Sequence, residues 1–434
     1  ARETAGRIKH MTPNLKPYPA MKDSGVEWLG EVPGHWDLER GKNLFTKVER
    51  PVREKDEVVT CFRDGTVTLR KNRRTQGFTE SLKEIGYQGI RAGDLVIHAM
   101  DAFAGAVGVA DSEGKGTPVY AVCEAKEAAD PNYHAFVIRE MARSQWILAL
   151  ATGIRERSTD FRFGTYANQR VPLPPLPEQA AIVRYLDHVD RRVRRLVRAK
   201  RKLIALLTEQ KQAIIHRAVT RGLDPDVPLK DSGVEWLGEV PEHWEVRKLK
   251  FEMTFRGGGT PSKAEPSYWG GKIPWVSPKD MKSKTISDAQ DHITEQAVID
   301  SSTNLVPAGS ILMVVRSGIL QRTIPIGICD REVALNQDMK ALSVKQTLNA
   351  EFFTLMVRGC EKLLLREWTK QGATVESIEH EFLANTEIPL PPLPEQSAIV
   401  DYLDRTTADI DTTITRAERE IELLNEYRTR LIAD

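Results

Sequence analysis

The segment Lys22-Asp23-Ser24-Gly25-Val26-Glu27-Trp28-Leu29-Gly30-Glu31-Val32-Pro33 returns unchanged from Lys230 to Pro241, and His35-Trp36 returns as His243-Trp244, an offset of 208 residues. A second block, Pro-Leu-Pro-Pro-Leu-Pro-Glu-Gln from Pro172 to Gln179, returns from Pro389 to Gln396 at an offset of 217. Ala181-Ile182-Val183 and Tyr185-Leu186-Asp187 follow the first copy; Ala398 to Val400 and Tyr402 to Asp404 follow the second. Long-period self-similarity constrains a fold more than any local motif, because each copy must build the same unit. The two offsets make the stretch between the blocks nine residues longer in the second half. Inside those stretches, Cys61 to Tyr120 and Arg256 to Val315 share little identity, so each half has fixed ends and a variable middle.

After each Pro-rich block the pattern turns helical, with Pro177 and Pro394 at the first turn and carboxylates next to them at the positive end of the dipole. Apolar residues then recur at spacings of 3 and 4 or their multiples, the signature of helix pairing. In the first copy they are Ile182, Leu186, Val189, Val193, Leu196, Leu203, Leu207 and Ile214. In the second they are Ile399, Leu403, Ile410, Ile414, Ala417, Ile421, Leu424 and Leu431. Each run predicts a helix of about 40 residues, roughly 60 Å at 1.5 Å per residue. Residues 178–217 hold eleven Lys/Arg and four Asp/Glu, net +7, whereas 395–434 hold five and ten, net −5. Two seams of matched length and opposite charge should pair with each other, since like partners repel along their flanks. The bland alternative leaves Arg191, Arg192, Arg194 and Arg195 as a solvated face. A pseudo-twofold axis between the halves would make the helices antiparallel, with one variable domain at each end. The expected fold class is therefore α+β, two tandem globular domains joined by two long antiparallel coiled-coil helices.

At 434 residues, with 62 Lys+Arg against 61 Asp+Glu, the chain has no global basic field, so any case for a polyanionic partner must be local. The four cysteines, at 61, 123, 329 and 360, have no zinc-site or disulfide-framework spacing, which reads as a reducing cytoplasm. The longest apolar runs, such as Ile311 to Val315, are strand-sized, so neither a membrane span nor a signal peptide is expected. Residues 1–10 read as an appendage before a start at Met11. The second helix stops at Asp434, equivalent to Arg217, which suggests a missing tail matching Ala218 to Gly222.

The duplicated Lys-Asp-Ser-Gly-Val-Glu-Trp-Leu-Gly-Glu-Val-Pro-x-His-Trp phrase, and the duplicated Leu-Pro-Pro-Leu-Pro-Glu-Gln leading into a long helix, resemble the specificity subunits of type I restriction-modification enzymes. The second middle adds Gly258-Gly259-Thr260-Pro261-Ser262 and Tyr268-Trp269-Gly270-Gly271-x-Ile273-Pro274-Trp275-Val276, similar to the start of many target-recognition domains of that family. The first middle departs from this pattern and offers Arg70 to Arg74 and Met100 to Gly108 instead. The resemblance implies first and second target-recognition domains over 11–177 and 222–394, carried by helices over 178–221 and 395–434. It further implies a subunit without catalysis that binds double-stranded DNA, each domain reading half of a split asymmetric site. Its partners would be two methyltransferase subunits and two nuclease/translocase subunits. No cofactor would bind this chain; the partners would use S-adenosylmethionine, ATP and magnesium.

Base reading needs cationic and amide side chains, because Lys and Arg meet phosphates while Arg, Asn and Gln read base edges. Arg70, Lys71, Arg73, Arg74 and Gln76 would in isolation be a solvated hairpin; in this architecture they become first-choice contacts. Arg155, Arg157, Arg162 and Tyr166 form a second basic-aromatic loop. In the second domain the candidates are Arg256, Thr260, Ser262 and Lys263, with Lys279, Lys282 and Lys284 for phosphates and Arg316, Arg322 and Gln337 for base edges. Tyr268, Trp269 and Trp275 read as core packing. The duplicated Trp28, Trp36, Trp236 and Trp244 are expected to fix each domain to its helix.

Enzyme readings find little support. No Asn/Asp-Pro-Pro-aromatic tetrapeptide occurs. Gly105-x-x-Gly108 is better explained by small glycines in a buried strand, and Gly114-Lys115-Gly116 fails as a P-loop. Glu124-Ala125-Lys126, with Asp101 or Asp111, mimics half of a nuclease motif. A self-contained nuclease or methyltransferase, and a pure coiled-coil scaffold, remain the alternatives to a recognition subunit.

Overall fold

The computed structural model describes residues 17–73, 85–150, 160–369 and 376–431. The chain divides into two compact units, one of residues 1–199 with 419–434 and the other of residues 200–418. Helix α1 (Pro131–Arg143) lies in the first unit and α3 (Ala350–Gly359) in the second, while α2 (Leu176–Arg221) and α4 (Leu393–Arg430) contribute to both.

The duplicated phrases build the same local structure twice. Met21–Asp23 pairs with Glu31–Pro33, and Leu229–Asp231 with Glu239–Pro241. Their turns use the same two devices: an Asp carboxylate accepts from the glycine amide two residues on, at 2.9 and 3.0 Å, and Gly25, Gly30, Gly233 and Gly238 hold positive φ. The block that opens each half then pairs with the block that closes it. Asp37–Arg40 runs antiparallel to Arg170–Leu173, and Glu245–Lys248 to Glu387–Leu390, in the same register. Each variable middle thus hangs from a closed two-stranded neck.

The middle of the first unit holds a four-stranded sheet ordered β1 (Phe45–Lys47), β6 (Tyr120–Ala125), β4 (Leu95–His98), β5 (Val107–Val109), beside the hairpin β2 (Val59–Cys61) and β3 (Val67–Leu69). Its core joins Phe45, Leu95, Ile97 and Cys123 to Tyr133, Ile138 and Met141 of α1. The second unit holds a five-stranded sheet ordered β7 (Met253–Gly257), β13 (Met339–Val344), β10 (Ile311–Val314), β11 (Ile326–Cys329), β9 (Thr285–Ile286). A four-stranded sheet containing β8 (Trp269–Val276) and β12 (Val333–Leu335) lies in the same unit.

Helix pairing is antiparallel where each unit can be judged alone. In the first, Asp190 of α2 binds Arg428 of α4 at 2.5 Å, and Val189, Val193 and Val197 bury against Leu424 with Ile421, Tyr427 and Leu431. In the second, Lys211 bridges Asp411 at 2.5 Å, and Ile215, Ala218 and Val219 share a core with Ile399, Val400 and Leu403. Leu186, Val189, Val193, Ile399, Leu403, Ala417 and Leu424 are buried; Ile182, Leu196, Leu207, Ile214, Ile410, Ile414, Ile421 and Leu431 are half-buried. Leu203 corrects the seam: it is 41% exposed, whereas Val197 is 9% exposed. Beyond Val193 the inward stripe runs through Val197, Lys200, Ile204 and Leu207. A strict seven-residue repeat falls out of step with a helix of 3.6 residues per turn, and the stripe here moves one residue ahead of it.

Candidate nucleic-acid interface

Described cations of the first domain's basic run are held by neighbours. Arg70 to Asn72 form a 3-10 turn after β3. Arg70 Nε donates to Thr60 Oγ1 at 3.3 Å and Asn72 Nδ2 to Thr68 Oγ1 at 2.9 Å, while Lys71 pairs with Glu57. The Arg73 guanidinium stacks 4.4 Å from the Phe62 ring centroid and donates to Asp64 Oδ1 at 2.9 Å. Burial works against the charged Asp64 carboxylate, but Arg73 and the Thr66 amide outweigh it and hold its pKa at about 2. Arg63, which sequence reasoning did not select, ties this hairpin to the next turn by binding Asp101 at 2.8 Å. Arg162 is exposed and paired with Asp160 at 2.6 Å, and the Phe161 amide beside it bonds the Ala99 carbonyl at 3.0 Å. Arg74, Gln76, Arg155 and Arg157 lie outside the described residues.

Tyr166 is a correction. It is fully buried between Phe45 and Phe163, at ring-centroid distances of 6.2 and 6.3 Å, and burial pushes its phenol pKa far upward. Gly41 makes that position possible: a Cβ there would sit 2.7 Å from the Tyr166 carbonyl oxygen and 3.0 Å from its ring. A residue sealed in this way has no surface to offer DNA.

In the second domain, several candidates gather where β7, β10 and β13 end. Gly258 and Gly259 let the chain cross the 335–336 backbone and Ser302, where any Cβ would collide. This brings Thr260 Oγ1 against Gln337 Oε1. Arg316 Nε binds Asp338 at 2.8 Å, and Arg256 Nη1 reaches the Leu305 carbonyl at 3.3 Å. Ser262, Lys263 and Arg322 are exposed. The lysine trio is elsewhere, beside β9 on the sheet's opposite edge, with Lys279 bound to Asp291 at 2.7 Å, Lys284 3.7 Å from Asp404, and Lys282 exposed. Trp275 is buried and donates to the Gly259 carbonyl at 3.0 Å, and Trp269 donates to the Ser262 carbonyl at 3.1 Å. Both indoles therefore shape the glycine crossing.

The duplicated Glu-Gln pair anchors each domain to its helix, a role the sequence reading did not assign. Gln179 is fully buried; its Nε2 donates to the carbonyls of Pro174 and Ala128 at 2.8 and 3.0 Å, and its Oε1 accepts the Asp130 amide at 2.8 Å. Gln396 repeats all three bonds with Pro391, Thr347 and Asn349 at 2.8, 3.0 and 2.8 Å. Asp130 and Asn349 in turn cap α1 and α3. Glu178 and Glu395 each bind a histidine, His35 and His243, at 2.8 Å. Trp36 adds a 3.0 Å bond to Glu178, while Trp244 is instead buried against Gly222. Trp28 and Trp236 are half-buried against the two main cores.

The enzyme-like motifs serve the fold. A Cβ at Gly108 would run into the Gly65 carbonyl, and Gly105 has φ +89°. Gly114–Gly116 is a strand paired with Gln88–Ile90. Glu124 binds Arg50 at 2.5 Å, and Asp101 binds Arg63. Burial pushes the thiol pKa of Cys61, Cys123 and Cys360 up to about 12, which leaves them poor nucleophiles. Among the described residues no cluster of three or more His, Cys, Asp or Glu is arranged to hold a metal, and no helix is long and apolar enough to cross a membrane.

A family profile described as the type I restriction modification DNA specificity domain matches residues 241–423. Over 93% of both chains, this chain is 22% identical to the putative type I restriction enzyme MjaX specificity subunit of Methanocaldococcus jannaschii. The chain is thus similar to type I restriction-modification specificity subunits. It is 34% identical to the EcoR124I/EcoR124II specificity subunit of Escherichia coli over 268 residues, 59% of this chain. That match spans 60% of the E. coli protein's length. Two solved structures share this fold. One, from work on complex assembly and conformational transition of the type I R-M system, gives a TM-score of 0.71 at 18% identity, covering 92% of this chain and 97% of that one. The other, the HsdS subunit from Thermoanaerobacter tengcongensis, gives 0.52 at 17% identity over 92% and 96%.

Proposed function

We propose that this chain is the DNA sequence-specificity subunit of a type I restriction-modification complex working in the cytoplasm. Each target-recognition domain binds one half of a bipartite, asymmetric duplex site. The helices set the spacing between halves and dock two methyltransferase subunits, which use S-adenosylmethionine; two nuclease/translocase subunits complete the assembly with ATP and magnesium. The chain itself performs no catalysis. One observation carries this reading: two necks of the same register, each closed on its helix by the same Gln clamp, hold middles of unlike sequence. A fixed mount with an exchangeable middle suits a protein that must read two different half-sites.

Chemically, Arg73 and Arg316 are held in fixed orientation by Asp64 and Asp338, so little side-chain freedom is lost when a base edge or phosphate approaches. The test is a methylation assay on a randomised site library with the methyltransferase partner supplied. Arg73→Ala should relax one half-site and Arg256→Ala the other, each by about 1–3 kcal/mol at a base-reading position. Methylation or cleavage by the purified chain alone, or both variants altering the same half-site, would overturn the assignment.

A further inference from the structure

Beside α1 lies a cavity of about 630 Å³ whose walls carry five arginines: Arg63, Arg139, Arg143, Arg194 and Arg428. Four of them have carboxylate partners. Arg63 binds Asp101 at 2.8 Å, Arg143 binds Glu140 at 2.6 Å, and Arg194 and Arg428 share Asp190 at 2.7 and 2.5 Å. Arg139 differs: among the described residues no hydrogen bond or ion pair reaches its guanidinium, and Asp64 and Asp190 act on it only at longer range. It lies flat over Gly65, where a Cβ would come within 2.7 Å of Nη1. Burial and the neighbouring Arg428 both disfavour its charge. A desolvated cation without a counter-ion is costly, and an arriving anion relieves that cost.

The second half supplies an internal control. Arg358 occupies the same position in α3, nine residues past the cap Asn349 as Arg139 is nine past Asp130. Its Nη2 donates to the Ile326 carbonyl at 2.8 Å, so the second copy satisfies this guanidinium from its own backbone. In the first copy Arg139 has no such bond among the described residues and lines the cavity instead. Its walls also hold four carboxylates, Asp64, Glu140, Asp187 and Asp190, and Asp101 neutralises Arg63 from beside the wall, so the site carries no net excess of charge. That balance disfavours a polyphosphate.

We propose that this cavity is an oxyanion-binding site that takes one phosphate group through the Arg139 fork. The planar guanidinium matches phosphate oxygens two at a time. The phosphate can come from the duplex backbone or from free phosphate. The duplex source rests on the DNA-reading function proposed above and is favoured by continuity: Asp64 lines the cavity and also holds Arg73 of the basic run.

Two arms test the site. In the first, inorganic phosphate replaces chloride at constant ionic strength around the purified full chain while melting is followed. At ten times its Kd, phosphate should raise the melting temperature by roughly 3–6 °C. Arg139→Gln should abolish the shift, and Arg139→Lys should keep a weaker one. In the second arm, the chain assembled with its methyltransferase partner binds duplex DNA over a salt series. Arg139→Gln should lower the slope of log K against log salt by about one, and Arg358→Gln should not. A response in the phosphate arm alone makes free phosphate the source; a response in the DNA arm alone makes the backbone the source; either supports the site. If wild type binds phosphate but never DNA, the proposed function fails and this site stands. If the variants fold and neither arm responds, the proposal is overturned, as it is if Arg139→Gln impairs only partner assembly.

Discussion

The register of the helix pair can be tested with one aspartate placed at either of two sites. Val197→Asp and Leu203→Asp introduce the same side chain on α2 six residues apart. A strict heptad reading ranks Leu203 as the inward residue. The structure ranks them the other way, with Val197 at 9% and Leu203 at 41% exposure. At position 197 the carboxylate would enter the cluster of Val189, Val193 and Leu424. An uncompensated buried charge costs about 3–5 kcal/mol. Arg194 and Arg201, one turn away on either side, could offset about 0.5 kcal/mol by helical pairing, and Arg194 already holds Asp190 at 2.7 Å. At position 203 the carboxylate stays in water, and a surface change of this kind is worth about 0.5 kcal/mol. Urea unfolding of the two variants reads the difference directly. Expected is a loss of about 3 kcal/mol or more for Val197→Asp and under about 1 kcal/mol for Leu203→Asp. Equal losses, or a larger one at Leu203, would show that the stripe is misplaced.

Gln179→Leu and Gln396→Leu should each destabilise the chain by about 3–5 kcal/mol, because three buried backbone groups lose their partner at about 1–3 kcal/mol each; unchanged melting in both would remove the clamp from the account. Arg73→Ala should let the Asp64 pKa rise from about 2 toward its ordinary value of 3.8. Because the folded pKa is the lower one, the stability this pair contributes is present above pH about 3.8 and fades as pH falls through about 2, so wild type and variant should converge only in that window on acid unfolding. Inserting one heptad after Ala199 and one after Arg416 lengthens each helix by roughly 10 Å, and methylated-site selection should return the same half-sites with the gap changed by about three base pairs. An unchanged gap would mean that the helices do not set the spacing.

The duplicated blocks were legible because identical residues impose identical turns: Asp-Ser-Gly needs an Asx bond and a positive-φ glycine wherever it occurs. Helix pairing was legible from charge and periodicity, but its register was not. One residue of drift at Val197 depends on what faces the helix, which spacing alone cannot say. Tyr166 misled for a related reason. Beside Arg162 it looks like a surface aromatic, and only Gly41, 125 residues earlier, opens the slot that buries it. The Gln clamp and Arg139 were also invisible locally, since the clamp's partners inside each middle lie 47 to 51 residues away and Arg139 has no hydrogen-bond or ion-pair partner among the described residues. Both left a trace in the repeat nonetheless. Gln179 reappears as Gln396, and Arg139 as Arg358 at the same distance from its cap.

The necks also explain why so much of each half is free to differ. Between paired Arg40 and Arg170 lie 129 residues, and between Lys248 and Glu387 lie 138. The entropy of closing a chain segment grows only as the logarithm of its length, so nine extra residues add less than about 0.1 kcal/mol to closing the second neck. The groups that a middle offers the buried glutamine are main-chain ones, at Ala128 and Asp130 in the first and Thr347 and Asn349 in the second, so side chains elsewhere in a middle can change while the strand pair and the clamp stay in place. A recognition surface can therefore be rebuilt without disturbing its mount. The price of this freedom is paid in legibility: fixed ends announce the architecture in any one sequence, while the residues that contact a ligand are those that the repeat does not constrain.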